Sequence, residues 1–224
     1  MSEAKKQLGV AAANLVESGS IVGLGTGTTA AFFIESLAKR CEKSLSIKAV
    51  ASSIASSTLA KKLGIDLIDI DKIDHIDIYI DGADEVDQKK QMIKGAGAAL
   101  LKEKILAAFS KKTIIMIDEK KLVDKLGKVL LPVEIVPFAS NLTKLQLEKL
   151  GYLSDYRKDE KGSFLLTDNQ NYILDLKLPH LLDDPTLVHK NIISIPGVIE
   201  TGLFIDLADR VIIANEKAEL EFIS

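Results

Sequence analysis

The sequence predicts an α/β fold, a mostly parallel sheet covered by helices on both faces, with a small α+β module inserted late in the chain. Three observations carry this. Short apolar runs alternate with helix-like segments between Ile21 and Ile117, the pattern of parallel strands buried on both faces. Beyond Leu131-Pro132 the pattern changes to polar-flanked strands joined by turn chemistry, with two helices among them. Val211-Ile212-Ile213 then reads as a buried strand able to return to the first sheet. The expected domains are therefore residues 1–130 with 207–224, and an insertion at 131–206.

The elements follow in order. Leu8, Ala11, Ala12, Leu15 and Val16 recur at helical spacing and predict a helix over Ser2–Ser18, closed by Gly19. This stretch does not read as a signal peptide, because its apolar run is short and broken by Asn14. Strands are expected at Ile21–Leu24, Ile47–Ala51, Asp66–Ile70, His75–Ile80 and Thr113–Ile117, with helices at Thr29–Lys39, Ser57–Leu63 and Ala98–Phe109. The second module is expected to run through strand Val133–Val136, helix Thr143–Leu150, strands Tyr152–Arg157, Ser163–Thr167 and Tyr172–Leu176, helix Pro185–Ile193 and strand Val198–Phe204. Asp168-Asn169-Gln170-Asn171 is turn chemistry between two of those strands.

Composition narrows the function. The 224 residues carry 29 Lys and Arg against 32 Asp and Glu, a net charge of −3 that argues against holding nucleic acid. About 70% of the surface of such a chain can be buried, so no disulfide or structural metal is needed. One cysteine, Cys41, forbids an intrachain disulfide and suits a reducing, cytoplasmic setting. Three histidines and that cysteine exclude a zinc-finger cluster. No run is long enough to span a membrane. Aromatic residues are only 5%, without Trp, too few for a base-stacking platform.

Three segments carry candidate chemistry. Gly23-Leu24-Gly25-Thr26-Gly27-Thr28-Thr29 joins a buried strand to a helix, and glycines, threonine hydroxyls and a helix amino terminus together suit a phosphate or another oxyanion. Gly25 to Ala30 also fits G-x-G-x-x-A, but the next strand ends Ala49-Val50-Ala51-Ser52-Ser53 and lacks the acidic residue that would hold a dinucleotide ribose. A small phosphorylated ligand is favoured. Asp81-Gly82-Ala83-Asp84-Glu85 follows a strand, so Asp81 and Asp84 can converge where parallel sheets bind ligands. The spacing does not make an EF-hand, a Mg²⁺ site has no further motif behind it, and a solvated acidic loop is the plain alternative. Lys94-Gly95-Ala96-Gly97 leads into the third segment, a helix whose core face reads as Ala98, Leu101, Ile105 and Ala108. Glu103 falls on the other side with Ala99, Leu106, Ala107 and Ser110. Among small apolar residues it suits a general acid or base, the alternative being a solvated glutamate. Lys94 could present a point charge to an oxyanion.

The motifs together resemble ribose-5-phosphate isomerase of type A. The resemblance rests on Gly23 to Ala30, Asp81 to Glu85, Lys94 to Leu100, Glu103-Lys104-Ile105, Leu131-Pro132-Val133-Glu134, Thr167-Asp168-Asn169 and Ile195-Pro196-Gly197-Val198, in that order. Ala96 and Gln170 stand where the family carries glycines. The resemblance implies a doubly wound, Rossmann-like sheet with an inserted ferredoxin-like domain, no cofactor or metal, and a homo-oligomer, dimer or tetramer. It implies interconversion of ribose 5-phosphate and ribulose 5-phosphate through an enediolate. Glu103 would be the proton-transferring base, Asp81 the ring-opening group, Lys94 the oxyanion stabiliser, and Asp84 would order the sugar hydroxyls. Substrate contacts would come from Thr26, Gly27, Thr28, Thr29, Gly82, Ala83, Gly95, Ala96, Gly97 and Lys121, with Lys5 reaching the phosphate.

Two other classes compete. A sugar-phosphate-sensing regulatory domain would be expected to carry a helix-turn-helix, and would not need Lys94 and Glu103. A nucleotide-dependent oxidoreductase lacks its ribose acid. Cys41, beside Lys39 and Arg40, reads as a bystander rather than a nucleophile.

Overall fold

The computed structural model describes residues 2–224. Helix α1 (Ser2–Asn14) precedes β1 (Ile21–Leu24), α2 (Thr28–Lys43), β2 (Lys48–Ala51), α3 (Ile54–Lys62), β3 (Ile78–Gly82), β4 (Glu85–Asp87) and β5 (Met92–Ile93). Then come α4 (Leu100–Ala108), β6 (Thr113–Asp118), β7 (Leu122–Val123), β8 (Leu131–Ile135), α5 (Ser140–Lys149) and β9 (Leu153–Tyr156). The chain continues through β10 (Tyr172–Lys177), α6 (Pro185–Ile193), β11 (Val198–Thr201), β12 (Leu203–Phe204), β13 (Arg210–Ala214) and β14 (Leu220–Ile223).

Two compact units result. The first holds the chain through Ala83, Lys102–Leu122 and Leu207–Ser224; the second holds Asp84–Leu101 and Val123–Asp206. The boundaries differ from those expected at 1–130, 131–206 and 207–224, because 84–101 and 123–130 fall in the second unit. The reason is strand pairing: β5 pairs with β12, which lies at the far end of the insertion.

The first unit is built on one sheet of order β14-β13-β6-β3-β1-β2. All neighbours are parallel except β14, which pairs antiparallel with β13. Strand order therefore reverses between β1 and β3, the place where doubly wound sheets bind ligands at the strands' carboxyl ends. Side chains alternate across the sheet. Ile78 and Ile80 pack on one face with Val22, Leu24, Ile114 and Met116, beneath Leu8 and Ala12 of α1 and Phe33, Ile34 and Leu37 of α2. Burying each large apolar side chain of this kind stabilises by about 1.5–3 kcal/mol. Tyr79 points the other way, against Val50 and against Leu106 and Ala107 of α4.

In the second unit β8-α5-β9-β10-α6-β11 forms an antiparallel sheet of order β11-β8-β10-β9. This is the ferredoxin-like βαββαβ arrangement. Leu131, Val133, Ile135, Leu147, Leu174, Leu176 and Ile192 fill its core. The expected strand Val198–Phe204 divides at Gly202: β11 joins this sheet and β12 joins β5 in a small sheet with β4 and β7. Gly202 fits there because a Cβ would lie 2.3 Å from the Lys94 carbonyl oxygen. Its own carbonyl accepts from the Lys94 amide at 2.9 Å, and its amide donates to Pro132 O at 2.7 Å.

Two expected strands are not strands. Around Asp66–Ile70 only Leu67 makes an isolated bridge to Ala49, because the Asp69 side chain accepts from Asp71 N at 3.2 Å and turns the chain into a short 3-10 helix. Ser163–Thr167 makes isolated bridges at Phe164 and Leu166; the Asp159 carboxylate draws the preceding chain into a turn by accepting from Lys161 N and Ser163 N. β4, β5, β7 and β12 are too short to leave a pattern in sequence, and β14 was not anticipated.

The two departures from family glycines differ in consequence. Ala96 has no positive φ, whereas Gln170 sits at φ 63°, in the left-handed region. Replacing Gln170→Gly should relieve about 1 kcal/mol of backbone strain, seen as a higher midpoint in urea unfolding at unchanged slope; a lower midpoint contradicts it.

Candidate functional site

The carboxyl ends of β1, β2 and β3 bring together the polar residues of the first unit. Asp81 lies inside β3, opposite Ile115 of β6, and not in a following loop as the sequence suggested. It is fully buried. Its Oδ1 accepts from Thr26 N at 3.0 Å and from Gly82 N at 2.7 Å, and its Oδ2 accepts from the Tyr79 hydroxyl. These donors compensate the cost of burying a carboxylate. The seat exists because position 25 is glycine: a Cβ there would lie 2.1 Å from Asp81 Cγ. One residue pair along, a Cβ at Gly23 would lie 2.7 Å from Tyr79 Cδ2.

Tyr79 is buried beside both acids. Burial first, and then the Asp81 and Glu103 carboxylates, hold its phenol well above the usual phenol range, so it remains a proton donor. The Thr26 hydroxyl lies 2.7 Å from Ser52 Oγ and 2.8 Å from Ser53 Oγ. Ser53 caps α3 by accepting from Ser56 N. Thr26 is thus tied into a cluster of hydroxyls at the end of β2.

Thr28 opens the 16-residue α2 with Gly27 before it, which leaves an unpaired helix amino terminus facing the loop. Lys5 reaches this point, with Nζ 2.7 Å from Thr28 Oγ1, and Thr29 is buried just behind. Lys121 Nζ donates to Ala83 O at 2.6 Å, bracing the segment after Asp81.

Glu103 corrects the helix reading. Ile105 is 44% exposed and Ala108 is exposed, whereas Glu103, Leu106 and Ala107 are buried, Glu103 to 3%. The small side chains of Ala99 and Ala107, one turn to either side, leave room for the carboxylate, and α4 buries its polar-bearing face. The strongest apolar stripe in the sequence pointed to the wrong side. Helix α4 also starts at Leu100, two residues later than expected, because Ala98 takes φ 56° and closes a turn onto Gly95 O.

Asp84 and Lys94–Gly97 belong to the second unit. Asp84 Oδ2 accepts from Ala96 N at 3.0 Å. Arg157 grips the same loop, its Nη1 donating to Gly95 O at 2.7 Å and Ala96 O at 3.0 Å. The guanidinium is fixed in turn by the Asp175 carboxylate, with Nε 2.9 Å from Oδ2 and Nη2 on Oδ1. Lys94 is 3% exposed, with its Nζ 5.4 Å from the centroid of the Phe204 ring, a cation–π approach. Glu85, also buried, accepts from Gly127 N and Val129 N at 2.7 and 2.9 Å.

The sequence reading missed Tyr79, Ser52, Ser53 and Arg157. Tyr79 had a signal, since two residues before a site aspartate on a strand is the same face. Ser52 and Ser53 end a parallel strand beside the glycine loop. Arg157 had none, as it acts on two carbonyls 62 and 61 residues away in sequence. Among the described residues no group of three or more His, Cys, Asp or Glu side chains is placed to hold a metal ion, and no helix is long and apolar enough to cross a membrane.

Comparison with known proteins is consistent across the chain. The family model for ribose 5-phosphate isomerase A (phosphoriboisomerase A) matches residues 48–218. A ribose-5-phosphate isomerase A from Protochlamydia amoebophila is 45% identical over 222 residues, covering 99% of this chain and 96% of that protein. A D-ribose-5-phosphate isomerase structure in complex with phospho-erythronic acid superposes with TM-score 0.95 at 36% identity, covering 100% of this chain and 98% of that one. The ribose 5-phosphate isomerase of Plasmodium falciparum gives TM-score 0.96 at 31% identity, over 100% and 99% of the two chains.

Truncating Arg157→Ala should leave the carbonyls of residues 95 and 96 without their charged donor. The Ala96 amide should then exchange with solvent about ten- to a hundredfold faster, read by hydrogen–deuterium exchange. Unchanged exchange would show that Asp84 alone holds the loop.

Proposed function

The chain belongs to the ribose 5-phosphate isomerase A family, and from that premise we propose that it interconverts D-ribose 5-phosphate and D-ribulose 5-phosphate, with Glu103 as the base. The observation that carries this reading is a glutamate buried to 3% exposure among alanines, electrostatically within reach of the same phenol that bonds Asp81. A carboxylate withdrawn from water is a suitable shuttle for a carbon-bound proton.

The chemistry assigns the roles. The sugar must first open: a proton leaves the anomeric hydroxyl, the bond from C1 to the ring oxygen breaks, and the ring oxygen gains a proton. Asp81 handles this step. Glu103 takes the proton from C2 and returns it to C1, while the proton of the C2 hydroxyl moves to the C1 oxygen, so that aldose and ketose differ by no net atom. The enediolate between them gathers negative charge on oxygen, and Lys94 supplies the positive charge to stabilise it. Asp84 and the backbone of Gly82, Ala83, Gly95, Ala96 and Gly97 order the sugar hydroxyls. The phosphate is taken by Thr26, Gly27, Thr28 and Thr29 at the start of α2, with Lys5 and Lys121. No cofactor or metal is required by these steps. Phospho-erythronate fits the reading chemically, because its planar carboxylate resembles the planar enediolate.

We read the protein as acting in the cytoplasm, as its single cysteine suits, and as a homo-oligomer, dimer or tetramer. Phe138 and Leu142, 88% and 58% exposed, support self-association. Sedimentation velocity tests it; a monomer at micromolar concentration contradicts it.

Purified protein should form ketose from ribose 5-phosphate equally well with and without EDTA. Absence of turnover overturns the isomerase reading, and loss on chelation overturns its metal-free form. Glu103→Gln should lower kcat by about a thousandfold while phospho-erythronate still binds; a variant of ordinary activity removes Glu103 from the mechanism.

A further inference from the structure

We propose that Tyr79 is a positioning residue for sugar ring opening, locking the Asp81 carboxylate against rotation and tying its placement to the Thr26 loop. This rests on the ring-opening role given to Asp81 above.

The argument begins with the two carboxylate oxygens. Two backbone donors, Thr26 N and Gly82 N, fall on Oδ1. A carboxylate anchored at one oxygen can still pivot about that anchor. The Tyr79 hydroxyl takes Oδ2, so the plane of the group is fixed at both ends. A group that must accept one proton and deliver another along set directions gains from such a lock.

The same carboxylate is tied to the glycine loop. Asp81 Oδ2 accepts from Tyr79 and its Oδ1 accepts from Thr26 N at 3.0 Å. The group expected to open the sugar ring and the loop expected to take the phosphate are therefore joined directly, so movement of the glycine loop on phosphate binding would reach the carboxylate through the Thr26 amide.

Packing alone does not call for the hydroxyl. The Tyr79 ring lies against Val50, Leu106 and Ala107, surroundings that would accept phenylalanine, and burying a hydroxyl carries a desolvation cost unless it is bonded. The space is shaped for this ring by Gly23, where any Cβ would collide with it. Phenylalanine keeps that fit and removes the oxygen, so Tyr79→Phe isolates the bond without opening a cavity.

The test compares wild type and Tyr79→Phe on ribose 5-phosphate and on the same sugar deuterated at C2. The variant should lose about ten- to a hundredfold in kcat/KM. Its isotope effect should fall below the wild-type value, because ring opening replaces proton abstraction as the slow step. Binding of phospho-erythronate, which has no ring to open, should change less than about twofold, well under the tenfold step of 1.4 kcal/mol. A variant with wild-type kcat/KM overturns the proposal. So does a slower variant whose isotope effect is undiminished, or one that has also lost phospho-erythronate, since either marks general damage. Wild type without turnover would instead remove the isomerase reading, and this assignment with it.

Discussion

Asp81 can occupy the end of β3 only because Gly25, the residue just past the end of β1, is a glycine. A side chain at position 25 would pass through the carboxylate, and one at position 23 would pass through the Tyr79 ring. The sheet thus opens a slot of two residues at its point of reversal. Into that slot go one acid and one phenol, both withdrawn from water, both on the face that α4 covers. The buried charge is tolerable because backbone amides and the phenol surround it. Everything that gives the first unit its chemistry, from the hydroxyl cluster at the end of β2 to the start of α2, is arranged around this pair.

The second unit manages its loops by the same means. Glu134, fully buried in β8, accepts at one oxygen from Thr167 Oγ1, Asn169 Nδ2 and Asn171 Nδ2. Glu85 holds the segment at 127–129, and Asp84 with Arg157 holds the Lys94 loop. Two motifs that stand far apart in sequence, Leu131 to Glu134 and Thr167 to Asn169, are therefore one interaction seen from its two ends. Irregular backbone is fixed here by charged side chains, two of them the buried Glu134 and Glu85 and a third the Arg157 guanidinium, which suits loops that must be placed accurately.

Much of this was legible in the residues alone. Alternating apolar runs gave the parallel sheet, and Pro185–Ile193 was read to the residue from its proline start. The strand at Val211–Ile213 does return to the first sheet. What was not legible has physical causes. Strands of two or three residues carry no periodicity. Edge segments such as Asp66–Ile70 look like strands in composition but lose their ladder to local side-chain turns. The face of α4 was misjudged because the apolar stripe is a sound guide only where the buried side is apolar; Glu103 breaks that rule. The residues proposed to carry the chemistry stand in motifs, whereas Arg157, which grips two backbone carbonyls far away in sequence, leaves no motif to find.

The division of one extended segment at Gly202 makes register a shared property. β11 counts residues against β8, with a bulge between Val198 and Glu200, and β12 counts them against β5, immediately before Lys94. A single inserted or deleted residue between 198 and 204 could not be absorbed locally, since side chains alternate and every later one would change sides. The bulge is already the one slack position in the run. Length in this stretch, buried from Thr201 to Phe204, should therefore be far less free to drift than in the exposed turn at 159–163.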